Sequence, residues 1–226
     1  MKRDAIFYSS IIMAFCAGFV DTSTFTVADG LFSAHITGNL VVFAYKLSNH
    51  AQITDFINLL SFPVFIAAVM LTGKISTKFN DQKKITGSIG ILLIISGMLA
   101  FFLKEYNISS GFLYHGMLMM IVFAMGIHNS VNRLYSGSVF GPTTVMTGNI
   151  TKAVIDFFLY HSTQHTSQKL LEIKQSLVLL SGFLGGCISG ALISHRCGLV
   201  SMLIPGILLA TYNWVAIKKN AVLNLS

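Results

Sequence analysis

Apolar residues in this chain gather into six runs long enough to cross a bilayer, over 5–25, 57–75, 85–103, 111–132, 175–194 and 198–217. A membrane helix needs roughly 20 such residues, so each run predicts one span. Lys74, close to the end of the second, would snorkel to the headgroups. Pro205 in the sixth is expected to kink it, which packing in a bundle tolerates. Two further segments, 30–47 and 141–160, are less apolar and hold His35, Lys46, Lys152 and Asp156. Each carries the triplet Thr-Gly-Asn, as Thr37, Gly38 and Asn39 and again as Thr147, Gly148 and Asn149. Glycine weakens a helix by about 1 kcal/mol relative to alanine, whereas Thr and Asn cap a helix that starts beside them. The pattern predicts a broken or re-entrant element, its free amides turned into a cavity. The alternative is that the glycines permit close packing and the asparagines bond across an interface.

Composition removes soluble classes. The chain is 54% hydrophobic and 10% charged, with mean hydropathy +0.72, against about 25% charged residues in soluble domains. The net charge of +7 is spread between apolar runs, so it concerns membrane orientation and not nucleic acid. If all eight segments crossed from a cytoplasmic N-terminus, six of fifteen Lys and Arg residues would face outside: Lys74, Lys78, Lys83, Lys84, Arg133 and Arg196. If the two triplet segments instead enter and leave on one side, only Lys46, Lys104 and Arg196 lie outside. The positive-inside rule prefers the second arrangement, with both termini cytoplasmic. The opening MKRDAIFYSSIIMAFCAGFV is signal-like, but the spans that follow favour an uncleaved first helix. Three cysteines, Cys16, Cys187 and Cys197, define neither a disulfide framework nor a zinc site.

The chain also repeats. AGFVDT at 17–22 aligns with MGIHNS at 125–130, pairing Gly18 with Gly126 and Asp21 with Asn129, and HITGNL then aligns with VMTGNI. The expected plan is all-α: one integral membrane domain over 1–226 with halves near 1–107 and 108–226. Three crossings per half invert the second copy, a plan shared by transporters whose substrates bind near the midplane.

Asp21, near the end of the first run, is the sharpest candidate, because a carboxylate at membrane depth costs at least about 2.5 kcal/mol. It reads as a proton- or cation-coupling group, or else as a cap at the membrane surface. Asn129 would face it from the other half, with His128 and Arg133 adding positive charge. His35 would exchange protons with Asp21, since imidazole titrates near neutrality. Asn149, Lys152 and Asp156 share a helix face, and the last two suit an i, i+4 ion pair. Gly182, Gly186 and Gly190 form a GxxxGxxxG series, an internal helix seam in preference to a homo-oligomer contact. His115 and His128 lack helical ligand spacing, so no metal is expected, and His161 and His165 read as a solvated loop face.

AGFVDTSTF followed by GLFSAHITGNLVVFA resembles the YoaK-like family of small bacterial membrane proteins. The resemblance implies about six transmembrane helices in the bacterial cytoplasmic membrane and carries over no catalytic residue. The expected function is a secondary transporter for a small molecule or ion, proton-coupled, with no cofactor and no enzymatic step. Partners would be the lipid bilayer and that solute. The competing readings are a non-catalytic assembly protein and, behind it, an intramembrane hydrolase using Ser136 or Ser138 with His128 and Asp156.

Overall fold

The computed structural model describes residues 2–49, 53–79, 81–135, 146–162 and 166–223, and the regular structure among them is helical throughout. Eight α-helices follow in order: α1 Lys2–Val27, α2 Ile36–Ser48, α3 Ile57–Phe79, α4 Gln82–Glu105, α5 Phe112–Leu134, α6 Met146–Ser162, α7 Ser167–Cys197 and α8 Leu203–Leu223. Short tight turns of helix at Ile53–Phe56 and Gly198–Met202 lead into α3 and α8.

Among the described residues five stretches are long and apolar enough to cross a membrane. The last, Ser167–Val215, contains α7 and most of α8, joined by the turn at Gly198–Met202. The six expected spans are therefore present, each longer than its apolar run because polar residues extend the helix past the hydrocarbon. Asp81 shows how one such end is made. Its carboxylate accepts from the Lys83 and Lys84 amides, closing the start of α4. Burial opposes its charge, but those hydrogen bonds and the Lys84 ammonium hold the carboxyl below its usual range.

Pro205 does not kink its span. It is the third residue of α8, in the first turn, where a missing N–H breaks no helical bond. Pro63 is the proline set inside a helix, in α3.

Side chains are arranged as a bilayer demands. Met70, Met98, Phe101, Phe158 and Leu192 are exposed, whereas Asp21, Asn39, Asn58, Ser61, His128, Asn149 and Asp156 are buried. A surface this apolar around a polar interior fits lipid, not water.

Close contacts fix the direction of each helix. The Tyr114 hydroxyl at the start of α5 donates to the Val27 carbonyl at the end of α1 (3.2 Å). His128, further along α5, bonds to the Met13 carbonyl (3.1 Å). The two helices are thus antiparallel, and the end where α1 finishes is called here the far end. Helix α7 runs parallel to α1: Gly182 faces Ile11, Gly186 faces Phe15 and Phe19, and Gly190 faces Phe19. Helices α3 and α5 both start at the far end, and Gly126 of α5 lies against Phe65 and Ala68 of α3. Helices α4 and α8 are antiparallel, with Gly97 against Leu203, Gly90 against Gly206 and Gly87 against Asn213.

The glycine series of α7 is an internal seam. A Cβ at Gly186 would strike the Phe15 carbonyl, and one at Gly190 would come within 2.5 Å of the Phe19 carbonyl. Backbones this close exclude any larger residue. The hydroxyl of Ser23 donates to the Gly190 carbonyl (3.3 Å) and fastens the far end of the seam.

Candidate functional site

The first triplet segment enters and leaves the bundle at the far end. After α1 the chain turns at Asp29 and Gly30, both at positive φ (52° and 74°), a conformation that glycine adopts readily and Asp tolerates. It then runs back beside α1 until residues 33–35 reach the level of Asp21. Helix α2 starts there and rises again, so that Lys46 in its last turn meets Asp29: Nζ lies 2.5 Å from the Asp29 carboxylate and 3.1 Å from that of Asp55. With 13 residues, α2 spans about 20 Å, too short for the roughly 30 Å of hydrocarbon. The segment is a re-entrant hairpin with its tip in the interior.

Asp21 holds that tip. One carboxylate oxygen accepts from the Ala34 amide (2.6 Å), the His35 amide (3.3 Å) and the Ser33 hydroxyl (3.5 Å). The other lies 2.7 Å from His35 Nδ1, which donates when the carboxylate is ionised. Asp21 thus satisfies, from another helix, the orphan amides that precede α2. Asn129 completes the clamp. Its side-chain amide donates to the Ala34 carbonyl (3.5 Å) and the Met125 carbonyl (3.1 Å). The two residues aligned by the sequence repeat therefore hold opposite ends of one residue, Ala34.

The triplet itself has a different job from the one expected. Helix α2 already begins at Ile36 with His35 as its cap position, and no side chain caps it. Thr37 and Gly38 are therefore inside the first turn. Thr37 is exposed, and Gly38 makes room for the Phe32 ring, 2.7 Å from where a Cβ would stand. Only Asn39 points inward. It accepts from the Phe32 amide and donates to the Phe32 carbonyl, both at 2.8 Å, and donates again to the Ser61 hydroxyl at 2.8 Å. That amide takes up both the N–H and the C=O of Phe32, backbone groups a helix would otherwise use. Asn58 joins this clamp to the far end, with its amide nitrogen 3.5 Å from Asn39 Oδ1 and its oxygen 3.3 Å from Lys46 Nζ.

The second triplet lies in α6, which starts at Met146. Here too the Asn, Asn149, is buried while Thr147 and Gly148 are exposed. Helix α6 packs antiparallel to the start of α7: Asp156 pairs with Lys152 (2.5 Å) and Lys169 (2.8 Å), and Lys152 with Glu172 (2.9 Å). Helix α5 ends, and α7 begins, at the near end. This half-length helix therefore runs from Met146, clustered with Ala14 and Leu179, to the near end. The charges are reversed between the ends of α2 and α6: a lysine between carboxylates at the far end, a carboxylate between lysines at the near end. Gly141, Pro142, Ser136, Ser138 and His165 lie outside the described residues.

Two expected neighbours of Asp21 stand elsewhere. His128 is fully buried, but its Nδ1 is 3.3 Å from the Asn132 amide and Nε2 is 3.1 Å from the Met13 carbonyl. One ring nitrogen accepts while the other donates, so the imidazole is neutral and adds no positive charge. Arg133 is exposed in the last turn of α5, one turn beyond Asn129. Sequence reasoning also missed Asn58 and Ser61, although polar residues at i, i+3 in an apolar run were a usable signal. A cavity of about 340 Å³ opens at the far end between Val27, Lys104, Tyr114 and Cys197; it includes no hairpin-tip residue.

These features define a polytopic helical membrane protein with a buried polar centre at the tip of a re-entrant hairpin. Residues 9–215 match the family described as Protein of unknown function (DUF1275), and the chain belongs to that family. No curated protein and no solved structure matches it.

Proposed function

We propose that the chain is a secondary transporter for a small solute in the bacterial cytoplasmic membrane, coupled to protons through Asp21 and His35. One observation carries the reading: a buried carboxylate, bonded to a histidine 2.7 Å away, sits where a re-entrant hairpin breaks in the membrane interior. Ionisable groups at that depth mark solute or proton routes, and broken elements at the midplane are where transporters bind their cargo.

The helix directions support two halves of opposite orientation. Helices α1 and α7 form one parallel pair and α5 and α3 the other, while α4 and α8 cross antiparallel. Gly18 packs against the Phe183 carbonyl, as its counterpart Gly126 packs against that of Phe65. Each half then contributes one half-length helix, α2 at the far end and α6 at the near end, and rocking of the halves would expose Asp21 to one side at a time. On this reading both termini are cytoplasmic, and no cofactor or enzymatic step is involved. The glycine series on which an assembly role would rest is occupied within the chain itself.

The test is flux in proteoliposomes. Wild-type protein loaded with a pH-sensitive dye, under imposed pH and potential gradients, should move protons with a solute from a panel of sugars, amino acids, nucleosides and weak acids. Asp21→Asn keeps an acceptor oxygen for the Ala34 amide but removes the charge, so coupled movement should be lost while the protein stays folded. If nothing moves under any gradient, the transporter reading fails.

A further inference from the structure

One aromatic ring stands between His35, at the tip of the α2 hairpin, and Met146, the first residue of α6. Phe183 of α7 is edge-on to the His35 ring, with centroids 5.7 Å apart. It also packs against the buried cluster of Ala14, Leu179 and Met146, the first residue of α6. We propose that Phe183 is the septum of the solute pathway, the ring that separates the tip of the α2 hairpin from the start of α6 and turns aside when a solute passes. Its role as a gate rests on the transporter reading; its position as a barrier does not.

Three observations point to this side chain. First, its backbone is pinned. The Phe183 carbonyl abuts Gly18 of α1, where even a Cβ would collide, so α7 has no freedom to shift toward α1 at this level. Opening must come from the side chain. Second, the ring is only half-buried, unlike the fully buried Phe19 on the same seam, so it has space to change rotamer, a fast motion for a side chain that is not locked by packing. Third, polar groups lie just beyond it, with the Asp21–His35 pair and Cys187 one turn further along α7. An apolar ring beside a buried ion-pairing site excludes water until it moves, as hydrophobic constrictions do in channels.

Native cysteines provide a readout that needs no known solute. Cys197 is exposed at the far end, Cys16 is buried, and Cys187 is half-buried beyond Phe183. In a Cys197→Ser background, a membrane-impermeant maleimide applied from the near face must pass Phe183 to reach Cys187. Labelling should be slow with Phe183 present, severalfold faster in Phe183→Ala, and slow again in Phe183→Trp. If Phe183→Ala fails to fold, Phe183→Leu, which keeps apolar bulk but lacks the ring, decides the question in the same way. Unchanged labelling in a folded ring-less variant would overturn the proposal, as would equal acceleration in the tryptophan variant. Faster labelling combined with no wild-type flux would count against the transporter reading and leave the barrier in place.

Discussion

Replacing Asp21 with alanine lowers the melting temperature of the detergent-purified protein by about 10 °C, the shift that a loss of about 3 kcal/mol gives in a chain of this size. The magnitude follows from what the carboxylate holds. Removing it leaves the Ala34 and His35 amides and the His35 ring nitrogen without their acceptor, and each buried unsatisfied donor costs about 1–3 kcal/mol. Asp21→Asn retains one acceptor oxygen and should lose much less. The comparison separates the two things Asp21 does, bracing the hairpin and carrying charge. An alanine variant that melts with the wild type would mean that the carboxylate does not hold the tip.

A second large effect is expected at Gly186. Leucine there would drive its side chain into the Phe15 carbonyl and the Phe19 amide, backbone atoms with nowhere to go. Overpacking commonly costs about 1–3 kcal/mol where side chains can yield; here α1 and α7 must part, and the expected outcome is loss of the monodisperse folded species. Gly185→Leu is the matched control, because nothing lies within 4 Å of a Cβ at that position. Size-exclusion chromatography with a melting curve distinguishes the alternatives. If Gly186→Leu yields a smaller but well-folded particle, the glycine series is a contact between chains and not the seam within one.

Both effects come from features that the sequence announces, and their mechanisms show how far that legibility extends. Runs of apolar residues locate the spans because hydrocarbon thickness fixes their length. Lys and Arg placement favours same-side entry of the first triplet segment, and the Lys46–Asp29 contact has that geometry. Asp21, Asn129 and His35 stand out as polar groups in apolar surroundings, and all three meet at Ala34. The sequence does not show what each triplet residue does. Thr-Gly-Asn reads locally as a helix cap, but no side chain caps α2; the amides just before it are held by Asp21, 15 residues before α2 begins, and Thr37 is left exposed. His128 reads in the sequence as a charge beside Asp21, but its ring is bonded on both nitrogens elsewhere. Phe183 is one phenylalanine among 18, and only the packing of α7 on α1 distinguishes it. Local chemistry predicts which residues are unusual; the contacts between distant helices decide what they are used for.

The central claim is that residues 28–48 form a re-entrant hairpin that carries its polar tip into the membrane and returns to the side it left. Cysteines at Thr26 and Asn49, both exposed, bracket it in a background with Cys187 and Cys197 replaced by serine, which leaves only the buried Cys16. Impermeant maleimide on intact cells and on inverted vesicles should label both positions from the same face. Labelling of Thr26→Cys from one face and Asn49→Cys from the other would mean that the segment crosses, which contradicts the hairpin.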